Sequence, residues 1–330
     1  MKHLLNRLIN HETISKDEAK QVLVNISNGE YNQSQIASFL TVYMMRSITV
    51  QELEGFRDAL LELCIAVDFS AYNPIDLCGT GGDGKDTFNI STLSSFVAAG
   101  AGIHVTKHGN YGVSSTCGSS NVMEYLGIKF SNDKDFLERS IEETRICVLH
   151  APLFHPAMKN VAPIRRELAV KTFFNMLGPM VNPAFPKNQI VGVFNLELAR
   201  MYGYLYQNTN KNYTIVHALD GYDEISLTGS TKIISNRSEA MLTPEDFGVT
   251  SVLQKDISGG SSIKDAATIF TNILAGKGTQ AQNNVVCANA GMAIATVENL
   301  TPKEGFDKAK ESLLSGKGLA VLKKVQHLSA

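Results

Sequence analysis

The sequence predicts an α/β protein of two units: a small helical bundle domain, then a larger α/β domain on a mostly parallel central sheet. Three observations predict it. The 330-residue length exceeds what one small core organises. The first 66 residues place apolar side chains at helical spacing and show no strand pattern. From Asn73 onward, strand-like and helix-like segments alternate, the pattern of a sheet with helical crossovers.

In the N-terminal part, Leu4, Leu5, Leu8 and Ile9 mark one apolar stripe. Val22, Leu23 and Ile26 mark a second, and Ile36, Phe39, Leu40 and Tyr43 a third. Capping boxes, Ser15 with Glu18 and Thr49 with Glu52, start two of these helices. Pro-Ile-Asp-Leu-Cys at 74–78 then reads as a buried strand running into a glycine-rich turn. Further strands are expected at 103–106, 146–149, 189–194, 213–219 and 231–235. Helices are expected at 91–101, 118–126, 133–144, 197–208, 263–275, 279–298 and 302–314. Thr301, Pro302 and Glu304 supply the cap, first and third positions of the last of these. Six of the nine prolines fall between Pro152 and Pro186, which marks a crossover between the units.

Composition narrows the function. A hydrophobic share of 44% and a charged share of 19% exclude disorder, collagen-like repeats and a disulfide mini-protein. A net charge of -2 with no long basic run disfavours a nucleic-acid partner. Cys64, Cys78, Cys117, Cys147 and Cys287 are scattered and odd in number, so neither disulfides nor a zinc site are expected. No apolar run approaches the roughly 20 residues that cross a bilayer, and the start is too short for a signal peptide. These readings predict a soluble cytoplasmic protein with no membrane partner.

Residues 79–86 read Gly-Thr-Gly-Gly-Asp-Gly-Lys-Asp. The string fits the dinucleotide pattern G-x-G-x-x-G, but no acid follows between Thr87 and Met123 to hold a ribose. It also fits the start of a P-loop, but Asp86 stands where a magnesium-binding hydroxyl belongs. What survives is physical. Four glycines let backbone N–H groups approach an anion, and Asn89-Ile90-Ser91-Thr92 opens a helix whose N-terminus favours one. A tight turn without ligand is the plain alternative; the 37 acid-free residues favour the anion site. Lys107 is the only Lys or Arg in that stretch and follows a strand candidate, where ligand crevices form. Ser114, Ser115, Thr116, Gly118, Ser119 and Ser120 form either an ordinary loop or a set of donors for phosphate and ribose oxygens. Asp220, Asp223 and Glu224 follow another strand candidate; such loop carboxylates are either solvated or hard ligands for magnesium. Arg165 and Arg166 sit in the proline-rich crossover, where one can pair with Glu167 and the other grip a planar carboxylate. His108, His150 and His155 are possible bases, and spacing does not choose among them.

Gly79-Thr-Gly-Gly-Asp83, Asn89-Ile-Ser-Thr92, Lys107-His-Gly-Asn110, His155-Pro-Ala-Met158, Phe174-Asn-Met-Leu-Gly-Pro179 and Asp223-Glu-Ile-Ser226 occur in order across nearly the whole chain. Together they resemble the anthranilate phosphoribosyltransferase family. The resemblance implies transfer of a phosphoribosyl group from phosphoribosyl pyrophosphate (PRPP) to anthranilate with release of pyrophosphate, the second step of tryptophan biosynthesis. It implies a homodimer and two magnesium ions per monomer. It implies a helical domain of residues 1–68 joined by part of 160–186, and a PRPP-binding α/β domain of 69–159 and 187–330. By motif, Gly79, Gly82, Asp83, Thr87, Asn89, Ile90, Ser91 and Thr92 would hold PRPP. So would Lys107, His108, Gly109, Asn110, Tyr111, Gly112, Val113, Ser114, Ser115 and Ser119. Ser91, Asp223 and Glu224 would hold magnesium; Gly79, Asn110 and Arg165 would contact anthranilate, with His108 lining that site. No covalent nucleophile is expected, and His108 is a catalytic candidate only.

Four positions depart from the family's common pattern. Tyr111 stands where Arg is frequent, Thr116 where a basic residue is, Asn121 where Asp is, and Lys171 where Arg is. The loop is thus less basic than usual, which bears on PRPP affinity. The pyrimidine nucleoside phosphorylases share the architecture but carry a Lys-His-Ser type motif, and non-catalytic nucleic-acid-binding relatives are expected to be basic. Asn110, the charge of -2 and the intact acidic pair count against both.

Overall fold

The computed structural model describes residues 1–112 and 117–330. The chain divides into two compact units, residues 1–67 with 151–185 and residues 68–150 with 186–330.

The first unit opens with α1 (Lys2–Ile9), α2 (Lys16–Ser27), α3 (Gln33–Met45) and α4 (Val50–Glu62). The two expected capping boxes form at Ser15 and Thr49, and a third forms at Asn32 with Gln35. The apolar stripes meet in an aromatic core in which Phe39, Tyr43, Phe56 and Phe173 contact one another edge-on or stacked. Glu52 does more than cap α4. Its buried carboxylate pairs with Arg46 and accepts from Ile14 N at 3.1 Å and Tyr43 Oη at 3.1 Å, so its charge is fully satisfied inside the bundle.

The chain then builds half of a sheet with β1 (Ile75–Gly79), α5 (Ile90–Gly100), β2 (Val105–Gly109), α6 (Ser119–Tyr125), α7 (Lys134–Thr144) and β3 (Ile146–His150). It returns to the first unit through α8 (Ala151–Phe154), α9 (Ala162–Leu168) and α10 (Phe174–Leu177). The proline density predicts a break in regular structure here. The helices here are short, four residues in α8 and α10 and seven in α9, and Pro163 sits in the first turn of α9, where its missing N–H costs nothing. Residues 151–159, assigned to the α/β domain from the sequence, group with the helices. Phe154 O accepts from Ile65 N at 2.8 Å, and Asn160 Nδ2 donates to Ser27 O at 2.9 Å.

The sheet is completed by β4 (Asn188–Gly192), α11 (Leu196–Tyr206), β5 (Asn212–Ala218), β6 (Thr231–Ser235) and β7 (Glu239–Leu242). Four helices follow: α12 (Ile263–Leu274), α13 (Gln280–Glu298), α14 (Pro302–Leu314) and α15 (Lys317–Ser329). The strand order is β3-β2-β1-β4-β5-β6-β7. The first five run parallel, and β6 and β7 are antiparallel. Ile75, Leu77, Val105, Ile146 and Val148 of the strands enter one core with Leu93, Phe96 and Val97 of α5 and Val285, Val286 and Ala290 of α13. Each large apolar side chain among them contributes about 1.5–3 kcal/mol when fully buried.

Two elements carry little signal in the sequence. The edge strand β7 alternates only between exposed and half-buried positions, so its period-two pattern is weak. In α15 the Leu319, Val321, Leu322 and Val325 pattern is helical, but Gly316 and Gly318 read as a break. One boundary has a consequence for the site. The strand expected at 103–106 begins at Val105 and runs to Gly109, so Lys107 and His108 lie within β2 rather than after it.

Candidate active site

Parallel strands put all their carboxyl ends on one edge. The chain leaves β1 for β2 on one side and later adds β4 on the other, so β1 and β4 flank a topological switch point, where such sheets form ligand crevices. Gly79 at the end of β1 pairs in register with Gly192 at the end of β4. The glycine turn springs from Gly79. Gly81, Gly82 and Gly84 have φ of 64°, 76° and 72°, the left-handed region that needs glycine. The turn delivers the chain to α5, with Asn89 as its cap residue.

The acidic pair arrives from the far end of β5. Asp223, which the sequence leaves open as either a solvated loop carboxylate or a metal ligand, is only 8% exposed. Its Oδ2 accepts from Gly81 N at 2.6 Å. Glu224 Oε1 accepts from Ser91 N at 2.9 Å, in the first turn of α5. The two anion-seeking features of the sequence, glycine amides and a helix N-terminus, thus each meet one carboxylate of the pair. Burial pushes the Asp223 carboxyl up, and neighbouring Asp83 pushes it further. Burial also raises Glu224 well above the carboxylate range, with Asp223 adding to the effect. Among the described residues no cationic side chain lies within ion-pair distance of either acid. Two desolvated carboxylates side by side, with Lys107 acting on Glu224 from beyond ion-pair distance, fit a divalent metal, whose charge would restore them to ionised ligands. Among the described residues no three His, Cys, Asp or Glu side chains form a complete cage, so most ligands of a metal here would come from elsewhere.

Asp223 can sit there because two strand ends lack side chains. A Cβ on Gly192 would stand 1.4 Å from Asp223 O, and one on Gly79 would stand 2.4 Å from Asp223 Oδ2. Gly192→Ala must displace the backbone of the acidic pair. Overpacking of this kind costs about 1–3 kcal/mol, so we expect a melting temperature roughly 3–10 °C lower by calorimetry. An unchanged melting temperature would show that the loop yields freely.

Lys107 differs from its expected placement at a strand end facing ligand. It is 2% exposed, and Nζ donates to Leu77 O at 2.7 Å. Burial lowers its pKa, and nearby Asp76 opposes that shift. Asp76 is a site residue that the motifs do not single out. Its Oδ1 accepts from His108 N at 3.3 Å and its Oδ2 from Gln189 Nε2 at 3.3 Å. Tyr206 Oη in turn donates to Gln189 Oε1 at 2.8 Å. A charged residue inside the apolar run 74–78 is the signal that marks it. This polar chain ties β1, β2 and β4 together beneath the crevice.

The other predicted residues fall as follows. Asn89 Nδ2 donates to Cys117 O at 3.0 Å, and Thr87 bridges to Ser258. Ile90 and Thr92 are buried in α5. Asn110 Oδ1 accepts from Tyr111 N at 2.8 Å, and Asn110 O accepts from Ser119 Oγ at 3.2 Å. Tyr111 directs its hydroxyl to Glu124 Oε1 at 3.2 Å and sets its ring edge-on to His150 at 4.8 Å. Val113, Ser114 and Ser115 lie outside the described residues. His150 is buried, with Nδ1 2.9 Å from Ser120 Oγ and its ring stacked on Phe130. His155 and Arg165 belong to the helical unit. Burial lowers His155 to about 4, which makes it neutral at physiological pH. Arg165 is half-buried: Nη2 donates to Asn175 Oδ1 at 3.3 Å, and its guanidinium lies 5.3 Å from the Phe174 ring centre.

The two units correspond to the two domains of a glycosyl transferase family. Residues 2–64 match the glycosyl transferase family helical bundle domain, and residues 71–319 match its a/b domain. Over 329 residues the chain is 78% identical to the anthranilate phosphoribosyltransferase of Flavobacterium psychrophilum, covering 100% of each chain. The crystal structure of anthranilate phosphoribosyltransferase from Thermus thermophilus matches with a TM-score of 0.91 at 30% identity, covering 98% of each chain. The solved structure of anthranilate phosphoribosyltransferase from Saccharomyces cerevisiae in complex with PRPP and Mg matches with a TM-score of 0.90 at 26% identity, covering 98% of this chain and 96% of that one. The chain belongs to the anthranilate phosphoribosyltransferase family.

Proposed function

We propose that this chain transfers the 5-phosphoribosyl group of PRPP to the amine of anthranilate and releases pyrophosphate, the second step of tryptophan biosynthesis. One observation carries the reading. Asp223, buried, and Glu224, half-buried, meet the glycine turn and the N-terminus of α5 at the switch point, and among the described residues no cationic side chain lies within ion-pair distance of either. A neutral ligand leaves these charges uncompensated; a magnesium–pyrophosphate group supplies both the cation and the anion such a site calls for.

The bond from ribose C1 to the pyrophosphate oxygen breaks and a bond from C1 to the anthranilate nitrogen forms. The amine loses one proton, and the electron pair of the broken bond leaves on pyrophosphate. Asp223 and Glu224, with Ser91, would hold magnesium, which when bound neutralises charge on the departing pyrophosphate. Amides of the glycine turn would orient the phosphates, and Asn110 and Arg165 would hold anthranilate. No covalent nucleophile is required. Two ions per monomer and a homodimeric assembly are part of the same proposal.

The direct test mixes protein, magnesium, PRPP and anthranilate and follows anthranilate fluorescence, which should fall only when all are present. Loss at the same rate in excess chelator would overturn the metal requirement. Thymidine and uridine are expected not to be cleaved with inorganic phosphate, because Asn110 stands where the nucleoside phosphorylases carry a different motif. Chromatographic detection of free base at a rate comparable to anthranilate consumption would reverse the ranking of the two readings.

A further inference from the structure

Tyr111 and Asn121 depart from the family's common residues, and both lie at the neck of the segment that follows β2. Among the described residues, four hydrogen bonds close this neck. Asn110 O accepts from Ser119 Oγ and from Ser120 N, each at 3.2 Å. Asn121 Oδ1 accepts from Gly118 N at 3.0 Å and from Gly112 N at 2.9 Å. The bond from Gly118 is the half of a capping box that the third residue of α6 supplies, and Gly118 has no side chain to return it. The bond from Gly112 is no part of that box. It reaches six residues before the cap and makes one carbonyl oxygen a bridge between the two sides of the neck. Gly118 permits the bridge, since a Cβ there would stand 2.1 Å from Gly112 N. The φ of Gly118 is -76°, so the backbone itself would accept alanine and the close approach of the Gly112 and Tyr111 backbone forbids it.

We propose that Asn121 is a positioning residue: by accepting from Gly112 N and Gly118 N at once, it holds Asn110, Tyr111 and Gly112 where PRPP needs them. Tyr111 secures the same segment from outside, through Glu124 and the His150 ring. The inference rests on the PRPP reading above. A bridge that preorganises a binding segment acts on affinity. When the competent arrangement is only fractionally populated, apparent affinity falls by that fraction, while saturating substrate restores it. Asn121→Ala removes both acceptor contacts, so the PRPP KM should rise about 30-fold, equivalent to about 2 kcal/mol, with kcat within about twofold of wild type.

Asn121→Ala, Asn121→Asp and Gly118→Ala are compared with wild type in PRPP titrations of turnover and in calorimetric titration of PRPP with magnesium. Asn121→Asp keeps an acceptor of the same reach, so its PRPP KM should stay near wild type. Gly118→Ala leaves the Asn121 side chain unchanged but displaces both of its donors, Gly118 N and Gly112 N, and should reproduce the defect of Asn121→Ala. The proposal is overturned if Asn121→Ala binds PRPP as tightly as wild type. It is equally overturned if kcat falls at unchanged KM, or if the Asn121→Asp variant binds PRPP no better than Asn121→Ala. A wild type that binds PRPP but leaves anthranilate unconsumed defeats the transferase reading instead, and the calorimetric comparison still decides the neck.

Discussion

Asp223→Asn combined with Glu224→Gln is expected to lower kcat/KM by about a thousandfold, the order that loss of a preorganised transition-state charge contact produces. The substitutions are nearly isosteric, and each amide keeps a carbonyl oxygen to accept from Gly81 N or Ser91 N. What disappears is charge. The fold should therefore survive, and the pH dependence of stability shows the difference. Both acids have raised values in the folded chain, so the folded state binds protons more tightly than the unfolded one. In wild type without metal, that contribution is present at low pH. It is lost as pH rises from the ordinary carboxylate range through the raised values. The double variant lacks the loss, so above neutral pH its metal-free melting temperature should equal or exceed that of wild type. Near-normal turnover in the variant would remove the metal assignment. A variant less stable than wild type at pH 8 in chelator would give the pair a structural role in place of the catalytic one.

Arg165→Ala should weaken apparent anthranilate binding at least tenfold and leave PRPP binding nearly unchanged. Among the described residues no carboxylate lies within ion-pair distance of Arg165, while Asn175 and the Phe174 ring hold the guanidinium in place. Burial already disfavours its charge, which makes an incoming planar carboxylate its natural partner. Truncating one member of a desolvated charge pair costs about 2–5 kcal/mol, or about 30-fold to several thousandfold in affinity. Arg166, one residue on, is exposed on α9 and serves as the internal control. Steady-state titrations of each substrate decide it. A raised PRPP constant in Arg165→Ala, or the anthranilate defect in Arg166→Ala, would reassign the residue.

Much of this is legible in the chain alone, because it depends on neighbours in sequence. Apolar period and capping residues locate the helices of the bundle, and Thr49 with Glu52 closes its box as expected. The glycines at 81, 82 and 84 announce a turn with positive φ, and the turn has it. Asn89 to Thr92 announce a helix start, and α5 begins at Ile90. Six motifs in order are enough to indicate the family.

What escapes is long-range. Asp223 reaches Gly81 across 142 residues, and Glu224 reaches Ser91 across 133. Only the strand order β2-β1-β4-β5 brings those partners to one edge. In sequence the pair reads as loop carboxylates, since residue type and spacing carry no record of burial; the raised values follow from desolvation inside the fold. Gly192 looks like any strand-end glycine until the Asp223 carbonyl is found against it. Lys107 reads as a strand-end residue because apolar pattern places strand boundaries only to within a few residues. A shift into β2 turns an expected ligand contact into a buried donor to Leu77 O. Local pattern thus determined the elements, the turn chemistry and the candidate residues. Tertiary structure decided which of those residues meet and which lose their water, because both depend on packing between segments distant in sequence.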